Sequence, residues 1–212
     1  MRQMLENIAP DVDAIVHPIP SAFGEPVVDL DQLGERDNHR WLICGGTQVV
    51  ERSLRSFLQI ITAVPREVAP IQLLIVGGTK NPAVTRMLKT LPDVRSEYHP
   101  AVTAEKASQL LCTCAFAWLD YFTTTKAKPD LLLKSSSFAS VCANAVVCVT
   151  PQAFGPISIK GDALAGPFTI ARDKVELPSA AGRASVGHAI YKWYHRYASI
   201  ASLARVVAEA LT

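Results

Sequence analysis

The feature that most constrains this chain is a repeated unit: a short apolar run that ends in a glycine pair and opens into a helical pattern. Trp41-Leu42-Ile43-Cys44 leads into Gly45-Gly46-Thr47, after which Val50, Leu54, Phe57, Leu58 and Ile61 recur at helical spacing. Ile71 to Val76 leads in the same way into Gly77-Gly78-Thr79. Asn81-Pro82 then opens the next helix, proline being tolerated in a first turn. Strands apolar along their whole length must be covered on both faces, which predicts a parallel sheet between layers of helix.

The alternation continues along the chain. Val94 to Tyr98 reads as a weaker strand, and Thr103 is suited to cap the helix that follows. Cys114 to Leu119 and Val146 to Val149 read as strands, with the helix-compatible stretch Ser135 to Ala143 between them. Phe168 to Ala171 is the last expected strand, and Ala180 to Leu211 reads as helix broken near Arg196 to Ser199. Asp29 to Arg40 and Thr123 to Asp130 read as loops. The expected fold is therefore a single doubly wound α/β domain, Rossmann-like, with a mostly parallel sheet of about six strands.

With 212 residues, 49% of them hydrophobic, the chain can bury a substantial core, which excludes wholesale disorder. Lys and Arg number 21 against 19 acidic residues, a net charge of +2. That balance offers no broad basic field for nucleic acid, so any anion must be held locally. Cys44, Cys112, Cys114, Cys142 and Cys148 lie among apolar neighbours, and the Cys112/Cys114 pair lacks a second pair at zinc spacing. They read as small buried hydrophobes in a reducing compartment, and neither a metal nor another cofactor is expected. No run is long and apolar enough for a transmembrane segment, and Met1 to Pro10 lacks the order of a signal peptide. The expected location is the cytoplasm or a cytoplasmic membrane surface.

The loops of interest all follow strands and so gather at the carboxyl edge of the sheet, where doubly wound folds bind ligands. Gly45-Gly46 and Gly77-Gly78 remove the β-carbons that would keep a ligand from the backbone, or simply make tight turns; neither pair completes a dinucleotide or P-loop signature. Lys134-Ser135-Ser136-Ser137 is sharper. A helix beginning at Ser135 would aim free amides and a positive dipole end at that edge, with Lys134 adding a full charge, an arrangement suited to a diphosphate. The plainer reading is a serine cap beside a solvated lysine. Arg52 and Arg55 lie early in the first helix and could reach the same edge. His17 and His99 stand alone at strand ends, a setting more often structural than catalytic. No nucleophile, histidine and acid fall into a hydrolase motif.

From Ile15 onward the chain resembles the carboxyl-terminal domain of retaining GT-B glycosyltransferases. Ile15-Val16-His17-Pro18-Ile19-Pro20 resembles their interdomain strand and proline turn, Trp41 to Arg52 their first strand, glycine turn and early basic residue, and Leu74 to Gly78 their second strand. The stretch KSSSFASVCANAVVCVT, residues 134–150, is similar to their phosphate-binding helix and the strand after it. The resemblance divides the chain into an interdomain segment with a first strand, 1–30, and a nucleotide-sugar-binding domain, 31–212. It implies a nucleotide diphosphate sugar as partner, held by Gly45, Gly46, Arg52, Lys134, Ser135, Ser136 and Ser137, with Pro100, Ala101 and Val102 flanking the base.

The departures are specific. The family's paired glutamates would fall near Leu131 and Ala139, its arginine beside the first glycine is Gly46, and its Gly and Pro before the last buried strand are Asn144 and Ala145. The resemblance also implies a separate or missing acceptor-binding domain, without which the chain should bind donor but not turn it over. The rival reading is a non-catalytic module of the same fold that docks a partner chain through its aromatic C-terminal helices. A response-regulator-like protein would need an acidic cluster at strand ends, where only Asp120 qualifies.

Overall fold

The structure, a computed structural model, describes residues 17–91, 93–122 and 128–211. Ile15 and Val16 of the expected interdomain strand and most of the Thr123 to Asp130 loop lie outside these. Strands β1 (Arg40–Cys44), β2 (Gln72–Val76), β3 (Arg95–His99), β4 (Phe116–Trp118), β5 (Val147–Thr150), β8 (Phe168–Ala171) and β9 (Lys174–Glu176) form one sheet in the order β3-β2-β1-β4-β5-β8-β9. All but β9 are parallel. β6 (Ser158–Ile159) and β7 (Asp162–Ala163) pair separately as a small hairpin. The strand order reverses direction between β1 and β4, the switch point at which doubly wound sheets open a crevice.

Among the described residues six α-helices accompany the sheet: α1 (Thr47–Ile60), α2 (Pro82–Leu88), α3 (Ala104–Leu111), α4 (Ser136–Ala143), α5 (Arg183–Tyr197) and α6 (Ile200–Ala210). Their starts are chemically marked. The side chains of Asn81, Thr103, Ser135 and Ser199 accept from the amides of Ala83 (2.8 Å), Lys106 (3.2 Å), Phe138 (3.1 Å) and Ser202 (3.1 Å), each cap contributing about 1 kcal/mol. α1 buries Val50, Ser53, Leu54 and Phe57, one stripe of a helix lying on a sheet. Phe57 meets Trp41 and Trp118, and Trp41 stacks on Phe116 at 5.0 Å. Burial of each such ring contributes roughly 1.5–3 kcal/mol.

α4 is buried from Ser137 to Ala143 because it lies under α5, whose Trp193 and Tyr194 are also buried. This is where the C-terminal aromatics pack. The sequence missed two arginines that hold this side together. Arg183 is 1% exposed, and its guanidinium donates to Asn38 Oδ1 at 2.6 Å and to the carbonyls of Leu33 (2.5 Å) and Arg36 (3.3 Å). Arg36 in turn donates to the carbonyls of Cys114, Asn144 and Ala145. The Asp29 to Arg40 stretch, expected as plain loop, holds a 3-10 turn at Asp31–Glu35 with Leu33 buried.

Residues 17–28 contain no strand and run as a strap over α4, α5 and α6. The Ile19 amide donates to the Leu133 carbonyl at 2.9 Å, and the Ser21 amide to the Tyr194 hydroxyl at 2.8 Å. The Tyr194 hydroxyl in turn donates to Glu25 Oε1 at 2.6 Å, an oxygen that also accepts from the Ile200 amide at 2.8 Å. One carboxylate thus ties the strap to α5 and to the start of α6, where the helix dipole favours a negative charge.

Candidate functional site

β1 ends at Cys44, and Gly45 turns the chain with φ +140° so that Gly46 can begin α1. Three residues past β2, Thr79 donates its amide to Thr47 Oγ1 at 2.9 Å, locking the two glycine turns side by side. That packing explains three of the four glycines in these turns. A β-carbon on Gly77 would strike the Gly45 carbonyl, one on Gly78 would strike Thr47 backbone, and one on Gly45 would strike Ser137 Oγ. Gly46 differs: its φ suits any residue, and nothing lies within 4 Å of where its β-carbon would stand.

Across the switch point, Ser135 caps α4 and is 1% exposed, so its hydroxyl is used internally. Ser136 and Ser137 follow as the first helical residues. Gly45, Gly46, Gly78, Ser136, Ser137 and Ser140 enclose a cavity of about 180 Å³, with Ala22 and Phe23 of the strap forming its remaining wall. The Ser140 hydroxyl donates to the Ser136 carbonyl at 2.7 Å and accepts from Ser21 Oγ (2.9 Å) and the Ala22 amide (3.2 Å), which fixes the strap against α4. The amino ends of α1 and α4 therefore meet at one cavity, and none of the described residues lining it is charged. First-turn amides have no acceptor within their own helix, and each helix start carries roughly half a positive charge.

The other expected site residues lie elsewhere. Arg52 is engaged: Nε donates to the Asp120 carbonyl at 2.7 Å, and Nη2 to the Tyr121 carbonyl at 2.5 Å, holding the chain as it leaves β4. Its contact with the Asp120 carboxylate is longer, 3.9 Å. Burial raises the Asp120 carboxyl above its ordinary value, against the Ser56 hydrogen bond and the Arg52 charge. Arg55 pairs instead with Glu51 on its own helix at 2.8 Å. Lys134 ends a 3-10 turn, Pro129–Lys134, and is exposed on a different cleft, with His17, Arg196 and Arg205. Lys134 is therefore not among the residues that line the cavity at the start of α4. Pro100, Ala101 and Val102 adjoin the cavity without lining it; the Ala101 amide donates to the Gly78 carbonyl at 2.8 Å.

His99 Nε2 donates to Glu97 Oε2 at 3.2 Å, and His17 meets Ser202 at 3.2 Å, both outside the cavity. All five thiols are free. Burial pushes those of Cys44 and Cys114 up to about 12, so they act as packing groups rather than nucleophiles. Among the described residues no three His, Cys, Asp or Glu side chains gather to hold a metal ion, and no helix is long and apolar enough to cross a membrane. Gly78, noted with Gly77 as a possible approach to the backbone, lines the cavity, whereas Ser140 and the strap residues Ala22 and Phe23 were not expected there. Nothing local in the sequence signalled the strap.

No protein-family model matches the chain, and no curated protein matches it by sequence. Solved structures that match include that of WaaG, a glycosyltransferase involved in lipopolysaccharide biosynthesis, at 10% identity and a TM-score of 0.47 over 85% of this chain and 52% of that one. The chain thus spans about half the length of that protein. The strand order described above stands without it.

Proposed function

We propose that this chain is the donor-binding part of a glycosyltransferase, holding the diphosphate of a nucleotide sugar between Gly46 and Ser136. One observation carries the diphosphate site: two helix starts open onto a cavity that holds no charged side chain. An anion is the partner that balances such a pair of dipole ends and uses their unpaired amides. Sugar transfer itself comes from the family resemblance. In that reaction the leaving diphosphate gains charge as the glycosidic bond breaks, and amides fixed beforehand stabilise it without reorganising.

Gly46 gives the phosphate its approach, and the Ser136 and Ser137 amides bind it. A volume of about 180 Å³ falls below the ~300–1,000 Å³ of a whole small-molecule site. The cavity therefore suits the diphosphate, while nucleoside and sugar extend past its rim, the base toward Pro100, Ala101 and Val102. Arg52 has no part in this reading, since two backbone carbonyls occupy its guanidinium. The Ser135 hydroxyl, spent on its own cap, contributes only by starting the helix.

The lack of a carboxylate among the lining residues, where ribose hydroxyls would be expected to find an acceptor, favours a second reading. The chain would then be a binding module of the same fold, meeting a partner through the exposed Ile200 and Val207 of the last helix and Leu211 just past its end. Calorimetric titration with uridine, guanosine and adenosine diphosphates separates the two. Saturable binding of one of them, competed by pyrophosphate, is expected; no heat from any at about 1 mM, the weak end of specific affinity, leaves only the module.

A further inference from the structure

A second cleft lies apart from the cavity between Gly46 and Ser136. It measures about 580 Å³ and lies where the strap, the 3-10 turn Pro129–Lys134, the β6-β7 hairpin and α6 come together. That volume is within the ~300–1,000 Å³ range of small-molecule sites. Its walls have two kinds of chemistry. Lys134, Lys160, Arg196 and Arg205 supply cations against the carboxylates of Asp130 and Glu209. Arg196 is already paired with Asp162 at 2.9 Å and lies 5.8 Å from the Tyr197 ring centroid. Lys134, Lys160 and Arg205 are exposed, and they come from three different elements. Leu133, Ile159, Tyr197 and Val206 present carbon surface between them.

We infer that this cleft binds an amphiphilic phosphate, a phosphate group carrying an alkyl or acyl chain, with the phosphate among Lys134, Lys160 and Arg205 and the chain along Leu133, Ile159 and Val206. A hydrophilic anion would leave the apolar wall wet, and a neutral chain would leave uncompensated the excess of Lys134, Lys160 and Arg205 over the carboxylates of Asp130 and Glu209. An amphiphile satisfies both, since long cationic side chains lay their methylenes along apolar surface and keep the charge at the end. The chain's near-neutral balance of +2 gives no general affinity for anions, so the grouping is local. The inference is independent of the donor-site reading, because the two sites share no lining residue.

The test is calorimetric titration of the full chain with dodecyl phosphate below its micelle concentration, beside inorganic phosphate and dodecyl maltoside. Saturable binding of dodecyl phosphate is expected, with phosphate and maltoside each at least about tenfold weaker. Lys134→Glu with Arg205→Glu, both at exposed positions, should weaken dodecyl phosphate about tenfold or more and leave the circular dichroism spectrum unchanged. Val206→Ser should weaken dodecyl phosphate and leave inorganic phosphate as it was. Lack of binding by dodecyl phosphate overturns the inference, as does maltoside or inorganic phosphate binding equally well. Affinity that survives the charge reversal in a folded variant overturns it too.

Discussion

Ser137 Oγ stands in the space that a β-carbon on Gly45 would fill, so the turn after β1 and the start of α4 are fitted to each other across the switch point. Gly45 also has a φ of +140°, which other residues rarely adopt. Gly45→Ala should therefore destabilise the protein by about 1–3 kcal/mol and push Ser137 out of place. Gly46→Ala meets neither obstacle. Its stability loss should stay within about 1 kcal/mol, the difference between glycine and alanine at a helix cap, while its methyl group narrows the approach to the amides. Denaturant melts and diphosphate titrations of both variants check this. If Gly46→Ala binds diphosphate as the parent does, the cavity is not the site.

Arg183 is the buried cation on which the amino edge of the sheet depends, through Leu33, Arg36 and Asn38. Burial lowers its pKa, but it meets only neutral acceptors. Arg183→Met keeps much of the bulk and leaves those acceptors unpaired, at a cost of about 2–4 kcal/mol. Arg183→Lys should recover little of it, because one ammonium cannot span three acceptors in a fixed plane. Urea denaturation midpoints give both numbers, and a loss under about 1 kcal/mol for Arg183→Met would contradict the network's role.

The contrast between Arg183 and Arg52 shows where the sequence was legible. Strands β1, β2, β5 and β8 could be read because each is a continuous apolar run, and α1 because its apolar residues keep helical spacing. The caps Asn81, Thr103 and Ser135 could be read because each acts within three residues. β6, β7 and β9 are too short and too exposed to leave a pattern. A long cation reaches whatever acceptor lies within its span, and a sequence does not say whether that is a ligand or an orphan carbonyl. Arg52 found the carbonyls of Asp120 and Tyr121. Gly45, Gly46, Ser136 and Ser137 line one cavity, while Lys134 lines another cleft.

His195 sets a pH dependence of stability. Its ring lies edge-on to Tyr194 and tilted to Tyr191, and burial holds its pKa below the ordinary 6.5, with Glu25 pulling the other way. The unfolded chain takes up this proton near 6.5, the folded protein only at lower pH. Between those limits the unfolded state binds more protons, so this group's contribution to stability falls as pH drops through that window and levels off below it. Melting temperature should decline between about pH 7 and 5, and His195→Gln should flatten the slope. Asp120, raised by burial from 3.8, contributes the opposite slope on the acid side, which Asp120→Asn removes. An unchanged slope in His195→Gln would assign the effect to another group.

The most selective test of the cavity removes one amide and little else. Ser136 is the first residue of α4, a position where proline is favoured because its missing N–H has no helical acceptor. The preceding residue, Ser135, has φ −93° and ψ 112°, the extended conformation that a following proline requires. The Ser136 carbonyl still receives the Ser140 hydroxyl, and the Ser135 cap onto Phe138 is untouched. Ser136→Pro should thus keep its melting temperature within a few degrees and lose about 1–3 kcal/mol of diphosphate affinity, the worth of a charge-assisted hydrogen bond. Lys134→Ala, on the other cleft, should leave that affinity unchanged, so the pair also tells an amide site from one that uses the lysine. The opposite pattern, with Ser136→Pro silent and Lys134→Ala costly, would move the diphosphate to the cleft beside α6.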